Sequence, residues 1–313
     1  MKKIALFALG LMAVFLACVY LLIPAKVNVS LSKKVPVNKE ALYRNLADQK
    51  KWANWWPGEK APANSSLTYR LNGFDFQLHD IKVLSLPVDI KGNFLIYRAE
   101  LMMFPVNPDS STIQVAGSIQ MPANPFARIK AFLAAKRLRK DISGLFNAIG
   151  TYYAETRNTY GYDIRNQKVQ DSILLMNFRE MKVKPGTRDI YALVDELKAY
   201  IRSQGAAETG NPMLNIFTKD SVDYLLRVAI PTNKKLPPHG NMSYRWMLGG
   251  GNILITEVKG GPEEIAKAYK QIQLFIMDYN RVAPAIPFES LVTDRRNEPD
   301  STRWITRIYY PVM

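Results

Sequence analysis

The chain has 313 residues, of which 48% are hydrophobic, and its formal net charge at pH 7 is +15. This length predicts about two domains, and the apolar content is sufficient for packed cores. Because the sequence contains one cysteine and two histidines, it excludes an intrachain disulfide, a thiolate zinc site and most imidazole chemistry. We predict neither a metal ion nor a cofactor.

An uncharged, mostly apolar run opens the chain. It covers residues 4–25 behind Lys2 and Lys3 and exceeds the ~18 apolar residues that indicate a membrane span. We predict a single-pass transmembrane or signal-anchor helix over residues 1–25, which by the positive-inside rule leaves the soluble domains outside the cytoplasm. The alternative is a lipoprotein anchored at Cys18, since the four residues that end there resemble a bacterial lipobox.

Residues 26–160 are predicted to form a domain with an antiparallel sheet and one long helix at its C-terminal end. A strand from Val27 and a short helix capped by Asn38 come first. The segment 111–120 alternates apolar and polar residues, as a strand with one buried face requires. Asn124 and Pro125 then open a helix with an apolar stripe at helical spacing.

A tryptophan-rich segment of this domain carries a family resemblance. Residues 35–48 followed by Trp52 and by Trp55-Trp56-Pro57 resemble the SRPBCC or START-like (polyketide cyclase-like) family. That resemblance implies a helix-grip fold enclosing an apolar ligand between sheet and helix. The three tryptophans either line such a cavity or fill the core, as large aromatic residues usually do.

The second half of the chain contains an internal duplication. Residues 211–219 and 287–294 are related segments about 75 residues apart, the kind of offset that marks a repeat. In each copy a strand and a helix precede this segment, and a strand with a proline near its end follows. We predict two β-α-β-β units, with helices at 189–204 and 263–280. Leu214 in the first unit takes the place of Glu289 in the second.

Several short motifs give residues 161–313 a resemblance to the GyrI-like, or AraC-type, effector-binding domain. The motifs are Leu193–Ile201 (LVDELKAYI), Gly210-Asn211-Pro212, Gly249-Gly250-Gly251, Phe288–Asp294 (FESLVTD) and Ile308–Val312. The resemblance implies a domain that binds a small molecule in a cleft between its two repeats. It also implies that Glu289 points into that cleft.

Glu289 is therefore the candidate site residue to explain. A buried carboxylate is costly without a partner, so Glu289 either bonds a tyrosine or arginine at the repeat interface or attracts a hydrophobic, cationic ligand. In the second case aromatic rings would add cation–π attraction of ~0.5–2 kcal/mol. The candidate ligand-binding residues are Glu289, Tyr191, Tyr269, Phe275, Trp304 and Tyr310.

The predicted long helix is strongly basic over residues 126–140, at Arg128, Lys130, Lys136, Arg137, Arg139 and Lys140. Such a face is either simply solvated or contacts anionic headgroups, at about 1 kcal/mol for each basic residue close to the surface. We predict no nucleic-acid partner, because the sequence shows no recognition helix and no zinc module.

The predicted fold class is α+β, with an N-terminal transmembrane helix, a START-like helix-grip domain and a tandem β-α-β-β GyrI-like domain. The predicted function is that of a membrane-anchored protein that binds or senses a small hydrophobic molecule, including a cationic one, without catalysis. The first alternative is a hydrolase of small hydrophobic compounds with Glu289 as general base. The second is an interaction scaffold without a ligand.

Overall fold

The computed structural model describes residues 2–60, 67–170, 172–220, 223–247 and 249–313. The protein is α+β, with two antiparallel sheets. It divides into two compact units, Met1–Glu155 and Thr156–Met313. Each unit contains one of the sheets.

The first unit combines helices with a sheet that is antiparallel throughout. Among the described residues its seven strands are arranged in the order β1-β7-β6-β5-β4-β3-β2. Its elements are α1 (Lys2–Leu22), β1 (Lys26–Val35), α2 (Lys39–Ala47), a 3-10 helix (Gln49–Asn54), β2 (Glu59–Lys60), β3 (Tyr69–Leu71), β4 (Phe74–Leu78), β5 (Leu86–Gly92), β6 (Leu95–Asn107), β7 (Ser110–Gln120) and α3 (Pro125–Tyr153).

The apolar N-terminal run forms α1. No helix within the described ranges combines the length and the apolar character that a membrane span requires, so the transmembrane part of the predicted fold is not supported. The C-terminal end of α1 is attached to the first unit, because Val19 and Ile23 are buried in that unit's core. The Ile23 carbonyl accepts hydrogen bonds from Arg128 Nε at 3.0 Å and from its Nη2 at 2.7 Å.

The long helix α3 begins where the sequence predicts. The Asn124 side chain accepts from the Ala127 amide at 3.0 Å, and Pro125 occupies the first turn. The predicted basic face needs one correction, since Arg128 is only 6% exposed. Its guanidinium is buried because it satisfies the Ile23 carbonyl just beyond the end of α1, which has no partner within that helix.

The three tryptophans of the first unit pack together against the sheet. Trp52 and Trp56 are stacked with ring centroids 5.7 Å apart, and Trp55 lies 5.7 Å from Trp52. They border a small apolar cavity of about 50 Å³, which α3 closes with Ile142 and Phe146. The tryptophans are therefore packed in or against the core and also line the small space that remains.

The second unit has a longer sheet and two main helices. Among the described residues its eight strands are arranged in the order β12-β9-β11-β10-β14-β15-β13-β8. Its elements are α4 (Thr156–Tyr160), β8 (Arg165–Lys168), β9 (Ser172–Met181), α5 (Thr187–Ser203), β10 (Met213–Asp220), β11 (Asp223–Thr232), β12 (Ser243–Met247), β13 (Asn252–Lys259), α6 (Pro262–Asp278), β14 (Phe288–Leu291), a second 3-10 helix (Ser301–Arg303) and β15 (Ile305–Val312).

The predicted duplication is confirmed by this strand order. The first repeat (β9-α5-β10-β11) and the second (β13-α6-β14-β15) lie in one sheet and meet where β10 pairs with β14. In that register Leu214 is directly opposite Glu289. The two residues that break the sequence symmetry thus face each other at the centre of the sheet.

The second unit begins at Thr156 and so includes α4, which lies before the domain boundary predicted at residue 160. Tyr160 on α4 is buried, and its hydroxyl donates to Asp278 Oδ2 at 2.8 Å. Its ring makes an edge-on contact with Phe275 at 5.3 Å. These contacts attach α4 to α6.

Candidate ligand site

Glu289 lies on the face of the sheet that α5 and α6 cover. Directly opposed residues on antiparallel strands point to the same face, and the partners of Glu289 are Leu214 and Ile308, at 2% and 0% exposure. Phe288 points the other way and stacks on Tyr309 with ring centroids 5.0 Å apart. The Glu289 side chain is 18% exposed, so it is largely enclosed but still reached by solvent.

An arginine absent from the predicted site pairs with this carboxylate. Arg295 Nη2 lies 3.1 Å from Glu289 Oε2 and also donates to Thr306 Oγ1 at 3.1 Å. The guanidinium carbon is 4.9 Å from the centre of the Trp304 ring, and the Arg295 side chain is 7% exposed. Of the two alternatives for Glu289, the structure shows the ion pair with an arginine.

Burial and the ion pair act on Glu289 in opposite directions. Removal from water raises the pKa of this carboxyl, and the Arg295 guanidinium opposes that rise without cancelling it. A carboxylate that stays charged inside a protein requires such a partner. Arg295 therefore explains how Glu289 is tolerated at a position where the first repeat has leucine.

Tyr269 lies close to Glu289, and Tyr310, two residues after the strand partner of Glu289, contacts Tyr269. Burial, followed by the negative charge of Glu289 and the proximity of Tyr310, raises the pKa of Tyr269. Its hydroxyl is therefore a neutral group at pH 7. The two tyrosine rings make an edge-on contact with centroids 6.5 Å apart.

Tyr191 and Trp304 hold the loop between β14 and β15. The Tyr191 hydroxyl accepts from the Arg295 amide at 2.8 Å and donates to the Thr293 carbonyl at 3.2 Å. The indole Nε1 of Trp304 donates to the Glu298 carbonyl at 2.8 Å. Both side chains position the segment that carries Arg295.

Phe275 is placed elsewhere. Its ring contacts Tyr160 on α4 and stacks on Tyr279 with centroids 4.2 Å apart. Tyr269 and Phe275 are six residues apart on α6, which corresponds to about 240° around the helix axis. The structure therefore brings Tyr269 to Glu289 and turns Phe275 toward α4.

The site combines an ion pair with aromatic side chains, which suits it to binding. Within the described part of the chain, Arg295 is the residue that donates to Glu289, and it does so to Oε2. Oε1 is thus available to a donor on a ligand. Among the described residues, no group of three or more His, Cys, Asp or Glu is arranged to hold a metal ion.

Comparisons with known proteins report similarity to solved structures only, because no protein-family model and no curated relative matches the chain. One similar structure is the EcmrR C-terminal domain, at 16% identity and TM-score 0.42, covering 49% of this chain and 98% of that one. The protein SAV2435 bound to tetraphenylphosphonium has 12% identity and TM-score 0.31, covering 48% and 93%. The Zhui aromatase/cyclase from Streptomyces sp. R1128 has 12% identity and TM-score 0.32, covering 42% and 95%.

Proposed function

We propose that the second unit binds a small, mostly apolar molecule beside Glu289 and does so without catalysis. The observation that carries this proposal is a partly exposed carboxylate at the centre of the sheet, where the first repeat has the buried Leu214. Leucine at both positions would avoid the cost of enclosing a charge. Contact with a ligand would explain why a charged residue stands at this position.

The side chains around Glu289 supply the contacts that such a ligand needs. Tyr269 and Tyr310 offer ring surface, and the Tyr269 hydroxyl adds a neutral polar group. Small-molecule sites typically combine an apolar lining with a few polar groups that fix orientation. Glu289 would orient the ligand, and the tyrosine rings would contribute most of the contact area.

A thermal-shift screen tests this proposal with the full chain in detergent, against neutral apolar compounds and lipophilic cations. A ligand at 100 times its dissociation constant adds about 2.7 kcal/mol to the free energy of unfolding. We expect at least one class to stabilise the parent, with the effect reduced in Glu289→Gln. The matched control is Glu257→Gln, because Glu257 pairs with Arg307 at 2.9 Å with both side chains about half exposed. An equal response of both variants would contradict the proposal.

A hydrolase is the second candidate function. The raised pKa of Glu289 favours it, because a general base works best with a pKa near the operating pH. The pairing with Arg295 opposes it, since the guanidinium stabilises the charged form and makes the carboxylate a weaker base. Hydrolysis of 4-nitrophenyl esters by the parent, abolished in Glu289→Gln, would establish this candidate in place of the binding function.

We also propose that α1 attaches the chain to a membrane, with the soluble units outside the cytoplasm. Supporting this, Leu6, Phe7 and Leu9 on α1 are about 70% exposed, and exposed apolar surface of this kind favours lipid contact. The basic residues of α3 other than Arg128 are exposed and would add electrostatic attraction. Cell fractionation with alkaline extraction tests the proposal, and Cys18→Ala tests lipid attachment at the exposed Cys18.

A further inference from the structure

We infer that Arg295 occupies the cation position of the site beside Glu289, so that the site selects neutral ligands over cationic ones. The inference rests on the proposed binding function and deepens it by naming the charge class of the ligand. It runs against the sequence-based expectation of a cationic ligand.

The contacts of Arg295 are those that a cationic ligand would require. Recognition of an organic cation commonly combines a carboxylate with the face of an aromatic ring. Arg295 has both, from Glu289 at 3.1 Å and from the Trp304 ring at 4.9 Å. Thr306 Oγ1 accepts from the same nitrogen that contacts Glu289. The chain thus supplies its own cation.

The loop holds Arg295 in this position through contacts outside the ion pair. The Arg295 amide donates to the Tyr191 hydroxyl at 2.8 Å. The next residue, Arg296, bridges Asp195 on α5 and Asp294 in the loop, each at 2.8 Å. The guanidinium is therefore in place before any ligand arrives.

The charge balance of the site disfavours a second cation. Glu289 and Arg295 together carry no net charge, whereas the net negative charge of the neighbouring group of Arg296, Asp195 and Asp294 lies on partly exposed side chains outside this ion pair. A cationic ligand would either share one carboxylate with Arg295, against like-charge repulsion, or displace it. Displacement would leave a guanidinium that is 7% exposed without its carboxylate, which is strongly unfavourable.

A neutral ligand meets neither obstacle. An aromatic or polycyclic molecule with one hydroxyl or amide N–H can donate to Glu289 Oε1 while Arg295 stays on Oε2. A hydrogen bond to a charged acceptor is stronger than one between neutral groups. The chemical class we assign to the site is therefore a neutral, mostly aromatic donor.

Two probes of similar shape, one neutral and one cationic, test this inference. Triphenylmethanol is the neutral probe with a hydroxyl, and methyltriphenylphosphonium is the cation, each titrated calorimetrically into the full chain. We expect the parent to bind the alcohol at least about tenfold more tightly than the cation. Arg295→Gln should bind the cation at least about tenfold more tightly than the parent does. Arg307→Gln removes the same charge from a half-exposed pair with Glu257 and should leave both affinities unchanged.

Circular dichroism first establishes that each variant is folded. If Arg295→Gln does not fold, the double variant Glu289→Gln/Arg295→Gln replaces it, because neither charge is then left buried and unpaired. The double variant should no longer discriminate between the two probes.

Two results would overturn the inference in different ways. A parent that binds the cation as well as the alcohol, with no gain in Arg295→Gln, removes the role of Arg295 but leaves the binding function standing. If neither probe binds the parent or the variants, and the thermal-shift screen shows no response that depends on Glu289, the proposed function fails and the inference fails with it.

Discussion

The two repeats of the second unit differ at a pair of central positions. Val194 on α5 and Leu214 on β10 are 0% and 2% exposed and belong to a continuous apolar cluster. The corresponding residues of the second repeat, about 75 positions later, are Tyr269 and Glu289. The same backbone arrangement therefore encloses an apolar core in the first repeat, whereas two different side chains make the corresponding place polar in the second.

Making the second repeat resemble the first should have the largest effect. Glu289→Leu leaves the Arg295 guanidinium buried without its carboxylate, so we expect a loss of about 3–5 kcal/mol in the free energy of unfolding. Adding Arg295→Leu removes the stranded charge and should restore the parent value or exceed it by about 1–4 kcal/mol. Urea unfolding measures both, with the transition assigned to the second unit by hydrogen exchange of β10 and β14.

The matched control for this cycle is the pair Glu257 and Arg307, whose side chains are about half exposed. Replacing both by leucine should change the unfolding free energy by about 0–1 kcal/mol through the ion pair. If Glu289→Leu alone is as stable as the double variant, Arg295 does not depend on Glu289. The sequence difference between the two repeats would then have no effect on the free energy of unfolding through the ion pair.

The pH dependence of stability gives a smaller effect that follows the same difference. Because burial raises the pKa of Glu289 above its ordinary value of 4.5, the folded state retains this proton at a pH where the unfolded state has lost it. The contribution to stability is complete below about pH 4.5 and is lost as the pH rises through the folded pKa. The parent should therefore lose stability relative to Glu289→Gln over this window, by at most about 1.4 kcal/mol per pH unit.

Thermal or urea unfolding at a series of pH values measures that difference. Arg295→Gln removes the group that opposes the rise in the Glu289 pKa, so the loss of stability should extend to higher pH in that variant. If the parent instead gains stability relative to Glu289→Gln as the pH rises, the ion pair outweighs burial. The Glu289 pKa would then be lowered.

The smallest effect is expected where the loop of the second repeat contacts the helix of the first. Arg296 bridges Asp195 and Asp294, and it holds the pKa of Asp294 below its usual range. These side chains are 35–58% exposed, so Arg296→Gln should cost about 0–1 kcal/mol. The cost should shrink when unfolding is repeated at about 1 M salt. A larger, salt-independent loss would mean that the loop depends on this bridge.

Features that depend on local pattern could be predicted from the sequence. Strand alternation places Glu289 and Phe288 on opposite faces, and the repeat offset aligns Glu289 with Leu214, as the pairing of β10 with β14 confirms. The start of α3 follows from Asn124 and Pro125 in the same way. These signals need only neighbouring residues or a fixed period.

Features that depend on loop conformation or on distant partners could not be predicted. Arg295 reaches Glu289 because the loop after β14 folds back, and nothing in the order Asp294-Arg295-Arg296 specifies which arginine turns inward. Arg128 is buried because it meets Ile23, which is 105 residues away in the chain. Phe275 is different, because its spacing of six residues from Tyr269 already indicated separate faces of one helix.

The contact between Arg128 and Ile23 has a mechanical consequence. A helix joined to a domain by an unstructured linker can swivel, whereas α1 ends in a carbonyl held by two guanidinium nitrogens, with the Tyr20 ring 4.8 Å from the same guanidinium. Val19 and Ile23 add a second point of attachment in the core of the first unit. These contacts fix the end of α1 to α3 and to the core of the first unit, so we expect a change in the tilt of α1 to move α3 with it.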